Sequence, residues 1–193
     1  MSAGERREQL LDAAKAVVSE QGFHAVSVES VCRAAGITRP IVYDHFEGLA
    51  GLLEALVERE AARALAQLDA VLPDDLAEGD PGELLVAALG GYLEAVRSDP
   101  ATWRLVLMPP EGAPETLHEQ IAYGRRGVIA QLAGAVSPGL VAGRESPDPE
   151  LMARMLSAFA DEAARLLLTD PRHYTVERIL AHARWSLGQL ASA

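Results

Sequence analysis

The spacing of apolar residues is the feature that most constrains how this chain folds. Apolar side chains recur every three to four residues along nearly all of the 193 residues, and the alternation typical of a half-buried strand is almost absent. Alanine and leucine, both strong helix formers, dominate these stretches. We therefore predict an all-α fold of about nine helices, because a chain with this pattern buries its apolar faces by packing helix on helix.

Proline and glycine mark where the predicted helices begin and end. The segment Asp80-Pro81-Gly82-Glu83 combines an N-cap aspartate with proline at the first helical position. The same pairing recurs at Asp99-Pro100 and Asp148-Pro149, whereas 109–112 and 137–147 read as loops. The predicted helices span about 6–20, 28–35, 39–45 and 49–72, two that begin after Asp80 and Asp99, and about 114–136, 149–168 and 176–190.

The charge of the chain is strongly acidic but unevenly distributed. A net charge of −11 argues against a general polyanion binder. Residues 1–46, however, hold five basic and six acidic residues, so that residues 47–193 carry −10 of the total. A nearly neutral N-terminal segment predicts few phosphate ion pairs, weak non-specific affinity and a shallow salt dependence if this segment binds DNA.

The single cysteine, Cys32, excludes an internal disulfide and suits a reducing compartment. The N-terminal residues lack the apolar stretch of a signal peptide. The longest uncharged run, which includes 128–143, is interrupted by proline and glycines, so we expect no membrane span. These observations predict a cytoplasmic protein in which Cys32 belongs to the core.

Residues 27–46 carry the pattern that bears on function. Two short predicted helices are joined by Ala35-Gly36-Ile37, and glycine supplies the positive φ that a tight interhelical turn needs. Val42 and Phe46 lie four residues apart, on one face of the second helix. The layout is that of a helix-turn-helix, whose second helix enters a major groove. Spacing alone fits an αα-hairpin with no DNA role equally well.

The side chains of this segment favour the DNA-binding reading. Arg39 stands where a recognition helix meets base edges, and arginine binds guanine through two hydrogen bonds. Pro40 and Ile41 offer apolar surface to a thymine methyl group, and Tyr43 and His45 can donate to phosphates or bases. The predicted DNA-contacting residues are Ser27, Thr38, Arg39, Pro40, Ile41, Tyr43 and His45.

Ser27 and Thr38 enter this set because of their positions at helix starts. Ser27 is predicted to cap the first helix, whose N-terminal amides and dipole suit a phosphate. Thr38 is predicted to cap the second helix and to reach a phosphate.

Several short motifs in residues 10–53 together resemble the tetracycline-repressor (TetR) family of bacterial regulators. They are Gly22-Phe23, Ser27-Val28, Ala35-Gly36-Ile37, Val42-Tyr43-Asp44-His45-Phe46 and Leu52-Leu53. The resemblance implies a helix-turn-helix DNA-binding domain at 1–46 and a helical ligand-binding and dimerisation domain at 47–193, with the helix at 49–72 as connector. It implies a dimeric, ligand-responsive transcriptional regulator, most simply a repressor that binds a palindromic double-stranded DNA operator and is released by a small, largely apolar molecule.

The chain departs from the family pattern in two places. The start of the fourth predicted helix, 46–51, lacks the lysine that the family commonly uses to grip a phosphate. Glu29 stands where a basic or polar contact residue is frequent. Its carboxylate can either accept from a cytosine amino group or face solvent.

The eighth and ninth predicted helices are apolar on two sides, so each must bury two faces. One face can serve the core of its own subunit and the other a second copy, which gives a two-fold, four-helix homodimer interface. Alternatively, both faces are internal to one subunit.

Large, adaptable side chains cluster in the middle of the chain and are candidates for lining an effector cavity. Ordinary core packing explains them as well. They are Tyr92, Trp103, Leu107, Met108, His118, Tyr123, Met155 and Phe159, with Glu115 and Arg125 as further polar candidates.

Two other functions are compatible with a helical bundle. Glu115 and His118 have the Glu-x-x-His spacing of di-iron bundles, which would make the protein a metal- or cofactor-binding enzyme. Such a site needs two pairs, and neither His173 nor His182 has a glutamate three residues before it. An acidic helical adaptor for another protein is the third possibility. We predict no catalytic residues, metal ligands or cofactor.

Overall fold

A computed structural model describes residues 2–71, 80–137 and 147–192 of the chain, with side chains as far as residue 188. Within these ranges the regular structure is entirely helical, as predicted. The helices are α1 (Ala3–Gln21), α2 (Val28–Ala35), α3 (Arg39–His45), α4 (Gly48–Asp69), α5 (Pro81–Ser98), α6 (Pro100–Leu107), α7 (Glu115–Val136), α8 (Pro149–Thr169) and α9 (Val176–Ser192), with one 3₁₀ turn at Phe23–Ala25.

The predicted bounds of α2 and α3 agree with the structure, whereas α1 begins three residues earlier than expected. Its start is fixed by a capping box. The hydroxyl of Ser2 accepts a hydrogen bond from the Glu5 amide at 3.2 Å, and the Glu5 carboxylate accepts one from the Ser2 amide at 2.5 Å. Helix α4 ends at Asp69, and the predicted end at Leu72 lies outside the described residues, as does most of the predicted loop at 137–147.

The first of two compact units comprises residues 1–64 and 101–122. Helices α1, α2 and α3 pack against one another in it. Its core is a continuous apolar cluster to which α4, α6 and α7 each add at least one buried leucine. The fully buried members include Leu10, Val31, Val42, Leu52, Leu56 and Leu117.

The second compact unit comprises residues 65–100 and 123–193. Here α5 packs against both α8 and α9. Leu93 and Val96 on α5 are fully buried, and so are Ala153 and Ala164 on α8. The functional boundary predicted between residues 46 and 47 stays a prediction. In the part of the chain that the structure describes, no helix is long and apolar enough to cross a membrane.

Candidate nucleic-acid interface

Helix α2 begins at a reciprocal serine pair. The hydroxyl of Ser27 accepts a hydrogen bond from the Ser30 amide at 3.0 Å, and the hydroxyl of Ser30 accepts one from the Ser27 amide at 2.8 Å. The predicted N-cap role of Ser27 is therefore confirmed. Val28, Val31 and Cys32 lie on the buried face of α2, which confirms the predicted core role of Cys32.

The turn between α2 and α3 depends on Gly36, which has φ +67 and ψ 35 in the left-handed region. The amides of Gly36 and Ile37 both donate to the carbonyl oxygen of Cys32, the latter at 3.0 Å. This closes the C-terminal end of α2 and lets α3 follow after three residues. The positive φ predicted at Gly36 is confirmed.

Helix α3 is anchored by apolar contacts on one side and open to solvent on the other. Val42 is fully buried, and Phe46 is buried beneath the guanidinium of Arg7, which lies 4.9 Å from the ring centroid. The ring of Tyr43 is 60% exposed. Of the seven predicted DNA-contacting residues, four are exposed (Thr38, Arg39, Pro40 and Tyr43) and three are partly buried (Ser27, Ile41 and His45).

The predicted capping role of the Thr38 side chain is wrong. Thr38 occupies the N-cap position of α3, but its hydroxyl makes no capping hydrogen bond. The reason lies in the next residues. Pro40 has no amide proton to donate, and the Ile41 amide donates to the carbonyl oxygen of Thr38 at 3.2 Å. The cap is thus made by backbone alone.

The structure gives Glu29 a contact that neither of the two readings included. The Glu29 carboxylate forms an ion pair with the guanidinium of Arg39, between Oε1 and Nη2. The pair joins the start of α2 to the start of α3. A signal existed in the sequence, since opposite charges stood at the starts of two helices joined by a tight turn.

The predicted effector-binding residues differ in exposure. Tyr92, Trp103 and Leu107 are buried. The remaining five are exposed in the single chain: Met108, His118, Tyr123, Met155 and Phe159. Trp103, Leu107, Met108 and His118 belong to the first unit and the other four to the second. A role for this set in lining a cavity stays a prediction.

A polar cluster inside the second unit was not predicted. Arg125 Nη2 lies 2.7 Å from Asp161 Oδ2, and the hydroxyl of Tyr92 hydrogen-bonds to the same carboxylate. Burial raises the pKa of Asp161 above its usual range, although Arg125 and Arg165 act against this shift. Burial and the Asp161 charge raise the pKa of Tyr92, so this phenol stays protonated.

The residues of the di-iron alternative lie at the surface. Glu115 and His118 are both exposed at the start of α7. Across residues 2–71, 80–137 and 147–192, no group of three or more histidine, cysteine or carboxylate side chains is placed to hold a metal ion.

Comparison with known proteins supports the helix-turn-helix reading. Residues 10–56, which contain α2, the Gly36 turn and α3, match the model of the family described as bacterial regulatory proteins, tetR family. The solved structure of SmeT in complex with triclosan is 27% identical and superposes with a TM-score of 0.72, covering 95% of this chain and 90% of SmeT.

Residues 10–56 are thus those of a TetR-family regulator, and the chain as a whole has the fold of TetR regulators. This family comprises transcriptional regulators and not enzymes. A TetR-like regulator from Rhodococcus sp. RHA1 shares the fold at 22% identity and a TM-score of 0.76, covering 97% of this chain and 96% of its own.

Curated HTH-type transcriptional regulators match over part of the chain. The regulator UidR of Escherichia coli K12 is 34% identical over 61 residues, which are 32% of this chain and 31% of UidR. The activator FasR of Mycolicibacterium smegmatis is 28% identical over 102 residues, which are 53% of this chain and 45% of FasR. The match thus spans less than half the length of either relative.

Proposed function

We propose that this protein is a DNA-binding transcriptional regulator that acts in the cytoplasm and reads a palindromic operator with α3. The observation that carries this proposal is the anchoring of α3. Val42 and Phe46 hold one side of the helix in the core, while Arg39, Pro40 and Tyr43 remain exposed on a helix that follows a tight turn. This arrangement suits insertion of the N-terminal end of α3 into a major groove.

We also propose that α8 and α9 form a homodimer interface. Leu151, Met155 and Phe159 recur every fourth residue along α8, and each is 41–62% exposed in the single chain. Trp185 on α9 is 62% exposed. A row of large apolar side chains at this spacing marks a surface that a partner covers. A second copy would cover it with the same residues and would present two copies of α3 to a two-fold symmetric site.

We further propose that the regulatory ligand is small and largely apolar. Its binding would release the protein from the operator. Two solved structures with the same fold are complexes with molecules that carry a large apolar part, SmeT with triclosan and a Bacillus subtilis FadR with stearoyl-CoA. For release, the ligand must bind the DNA-free state more tightly than the DNA-bound state. The residues named above, from Tyr92 to Phe159, remain the candidates for contacting it.

Footprinting on the DNA that flanks the gene tests the core of this proposal. We expect a protected palindrome. Arg39→Ala should weaken operator binding by about 1–3 kcal/mol and relax the preference at one base pair. Tyr43→Ala should weaken binding more evenly across sequences if the phenol holds a phosphate.

Arg172→Ala is the matched control, because it removes an exposed positive charge between α8 and α9. It should leave operator affinity unchanged. Absence of a protected site, together with failure to select any duplex from a randomised library, would overturn the proposal.

A further inference from the structure

The Glu29–Arg39 ion pair lies at the end of α3 that the proposed function brings to the DNA bases. Glu29 is the second residue of α2, and Arg39 is the first residue of α3. Their side chains are 48% and 62% exposed. An ion pair that is so exposed to solvent contributes little to folding stability. Its main consequence is the orientation that it gives to the Arg39 side chain.

The geometry leaves Arg39 able to contact DNA while it is held by Glu29. Within the described residues, the pair uses one terminal nitrogen of the guanidinium, Nη2. Arginine carries five N–H donors in a rigid fork. The second hydrogen of Nη2 and the donors on Nη1 and Nε therefore remain, and a contact through two hydrogen bonds is still possible. An unpaired arginine side chain at this position could adopt rotamers that contact several phosphates. An arginine paired with a carboxylate is restricted to one orientation of its guanidinium.

We propose that Glu29 is a positioning residue that determines operator specificity by holding Arg39 for a base edge and away from phosphates. This inference rests on the proposed function. A guanine offers O6 and N7 to the donors that Glu29 leaves open. A phosphate contact would require Arg39 to leave Glu29, and the carboxylate would then stand unpaired beside the negatively charged backbone. Glu29 therefore weakens non-specific binding more than operator binding.

The sequence context strengthens the argument. Residues 1–46 carry a net charge of −1, so this domain has little general attraction for DNA and must obtain its affinity from directed contacts. If Arg39 only attracted DNA, an acidic residue beside it would weaken binding. If Arg39 reads a base, the same residue is useful because it restricts which DNA groups the arginine can bind.

The test compares Glu29→Gln with a matched control, Asp44→Asn. Both remove one exposed negative charge from the helix-turn-helix, but Asp44 makes no ion pair with Arg39 in the part of the chain that the structure describes. Binding is measured by fluorescence anisotropy across a salt series. The probes are a duplex selected from a randomised library by the unmodified protein and a shuffled duplex of the same length and composition.

For Glu29→Gln we expect affinity for the shuffled duplex to rise and the logarithmic salt slope to steepen by about 0.9, the equivalent of one added phosphate contact. The ratio of the affinity for the selected duplex to the affinity for the shuffled duplex should fall about tenfold. A loss of this size is within the discrimination that one arginine–guanine contact provides. Asp44→Asn should raise both affinities together and leave the ratio within about twofold.

The decisive measurement repeats Glu29→Gln in an Arg39→Ala background. There the mutation should no longer change the ratio, because no arginine remains to be held. The inference is overturned if Glu29→Gln and Asp44→Asn behave alike, or if the loss of discrimination persists without Arg39. If the unmodified protein selects no duplex, the proposed function fails instead, so the two failures are distinguishable.

Discussion

The ammonium group of Lys15 on α1 lies 2.8 Å from the carboxylate of Glu60 on α4, and Glu60 is only 1% exposed. Thr102 on α6 donates to the same carboxylate oxygen, and Arg59 lies 2.7 Å from the other oxygen. Lys15 also donates to the Thr102 hydroxyl at 2.6 Å. A buried charge of this kind is tolerated only when it is paired and hydrogen-bonded. Within the first unit, the network ties the first helix of the proposed DNA-binding domain to α4 and α6.

Removing the Glu60 charge should destabilise the protein, because Lys15 would remain buried without a counter-ion. We expect Glu60→Gln to lower the free energy of unfolding by about 3 kcal/mol, measured by urea denaturation followed by circular dichroism. Glu58→Gln is the control, since Glu58 lies on the same helix but is exposed. An equal, small effect of both substitutions would show that the network adds nothing to stability.

The same carboxylate predicts a pH dependence. Burial acts to raise the pKa of Glu60, but hydrogen bonds from Lys15 and Thr102 and the Lys15 charge outweigh it, so the pKa lies below its ordinary value of 4.5. The unfolded chain then takes up this proton at a higher pH than the folded chain does. The stabilisation by Glu60 is therefore present above pH 4.5 and is lost as the pH falls through the lowered pKa. Below pH 4.5, stability should fall more steeply with pH in the unmodified protein than in Glu60→Gln.

Gly36 should tolerate asparagine better than alanine. A Cβ at this position meets nothing within 4 Å, so the cost comes from its φ of +67 alone. We expect Gly36→Ala to cost about 1–2 kcal/mol of stability, and Gly36→Asn to cost less because asparagine enters the left-handed region more readily. Thermal unfolding of the two variants checks this order, and equal losses would mean that the turn does not depend on backbone conformation.

Two helical glycines of the second unit should respond to alanine with opposite signs. A Cβ on Gly91 in α5 would lie 2.9 Å from the Cβ of Val71, whereas one on Gly134 in α7 meets nothing within 4 Å. Gly91→Ala should destabilise by about 1–3 kcal/mol through overpacking. Gly134→Ala should stabilise by about 0.5–1 kcal/mol through helix propensity. Urea midpoints measured side by side test both, and stabilisation by Gly91→Ala would contradict the packing of Val71 against α5.

Met155 offers a test of the proposed dimer. Placing a carboxylate at the centre of the exposed row on α8 should convert a dimer to a monomer, because Met155→Glu would bury two like charges near the two-fold axis. Sedimentation velocity at several concentrations measures the change. Gln120→Glu, which adds the same charge at an exposed site on α7, should leave the assembly intact. A protein that is already monomeric without substitution would exclude this interface.

Local chemistry made much of the fold predictable. The bounds of α2 and α3 follow from the Ser27 cap and the Gly36 turn, and both signals act within a few residues. The early start of α1 is also encoded locally, in the Ser2 and Glu5 capping box.

Contacts between distant residues could not be predicted in the same way. Lys15 and Thr102 are 87 positions apart, and nothing in either neighbourhood marks the other as its partner. The Thr38 cap failed for a different reason. Thr38 holds the right position, but the proline two residues later removes a donor that its hydroxyl would need.

The two tryptophans of the chain occupy opposite environments. Trp103 is 1% exposed in the first unit, whereas Trp185 is 62% exposed and stacks against His182, with ring centroids 5.6 Å apart. Intrinsic fluorescence can therefore follow two events without any label. The emission of Trp103 should shift to longer wavelength when the first unit unfolds. That of Trp185 should shift to shorter wavelength if a second copy covers α9 as proposed. The chain thus carries a spectroscopic reporter for folding and one for the proposed association.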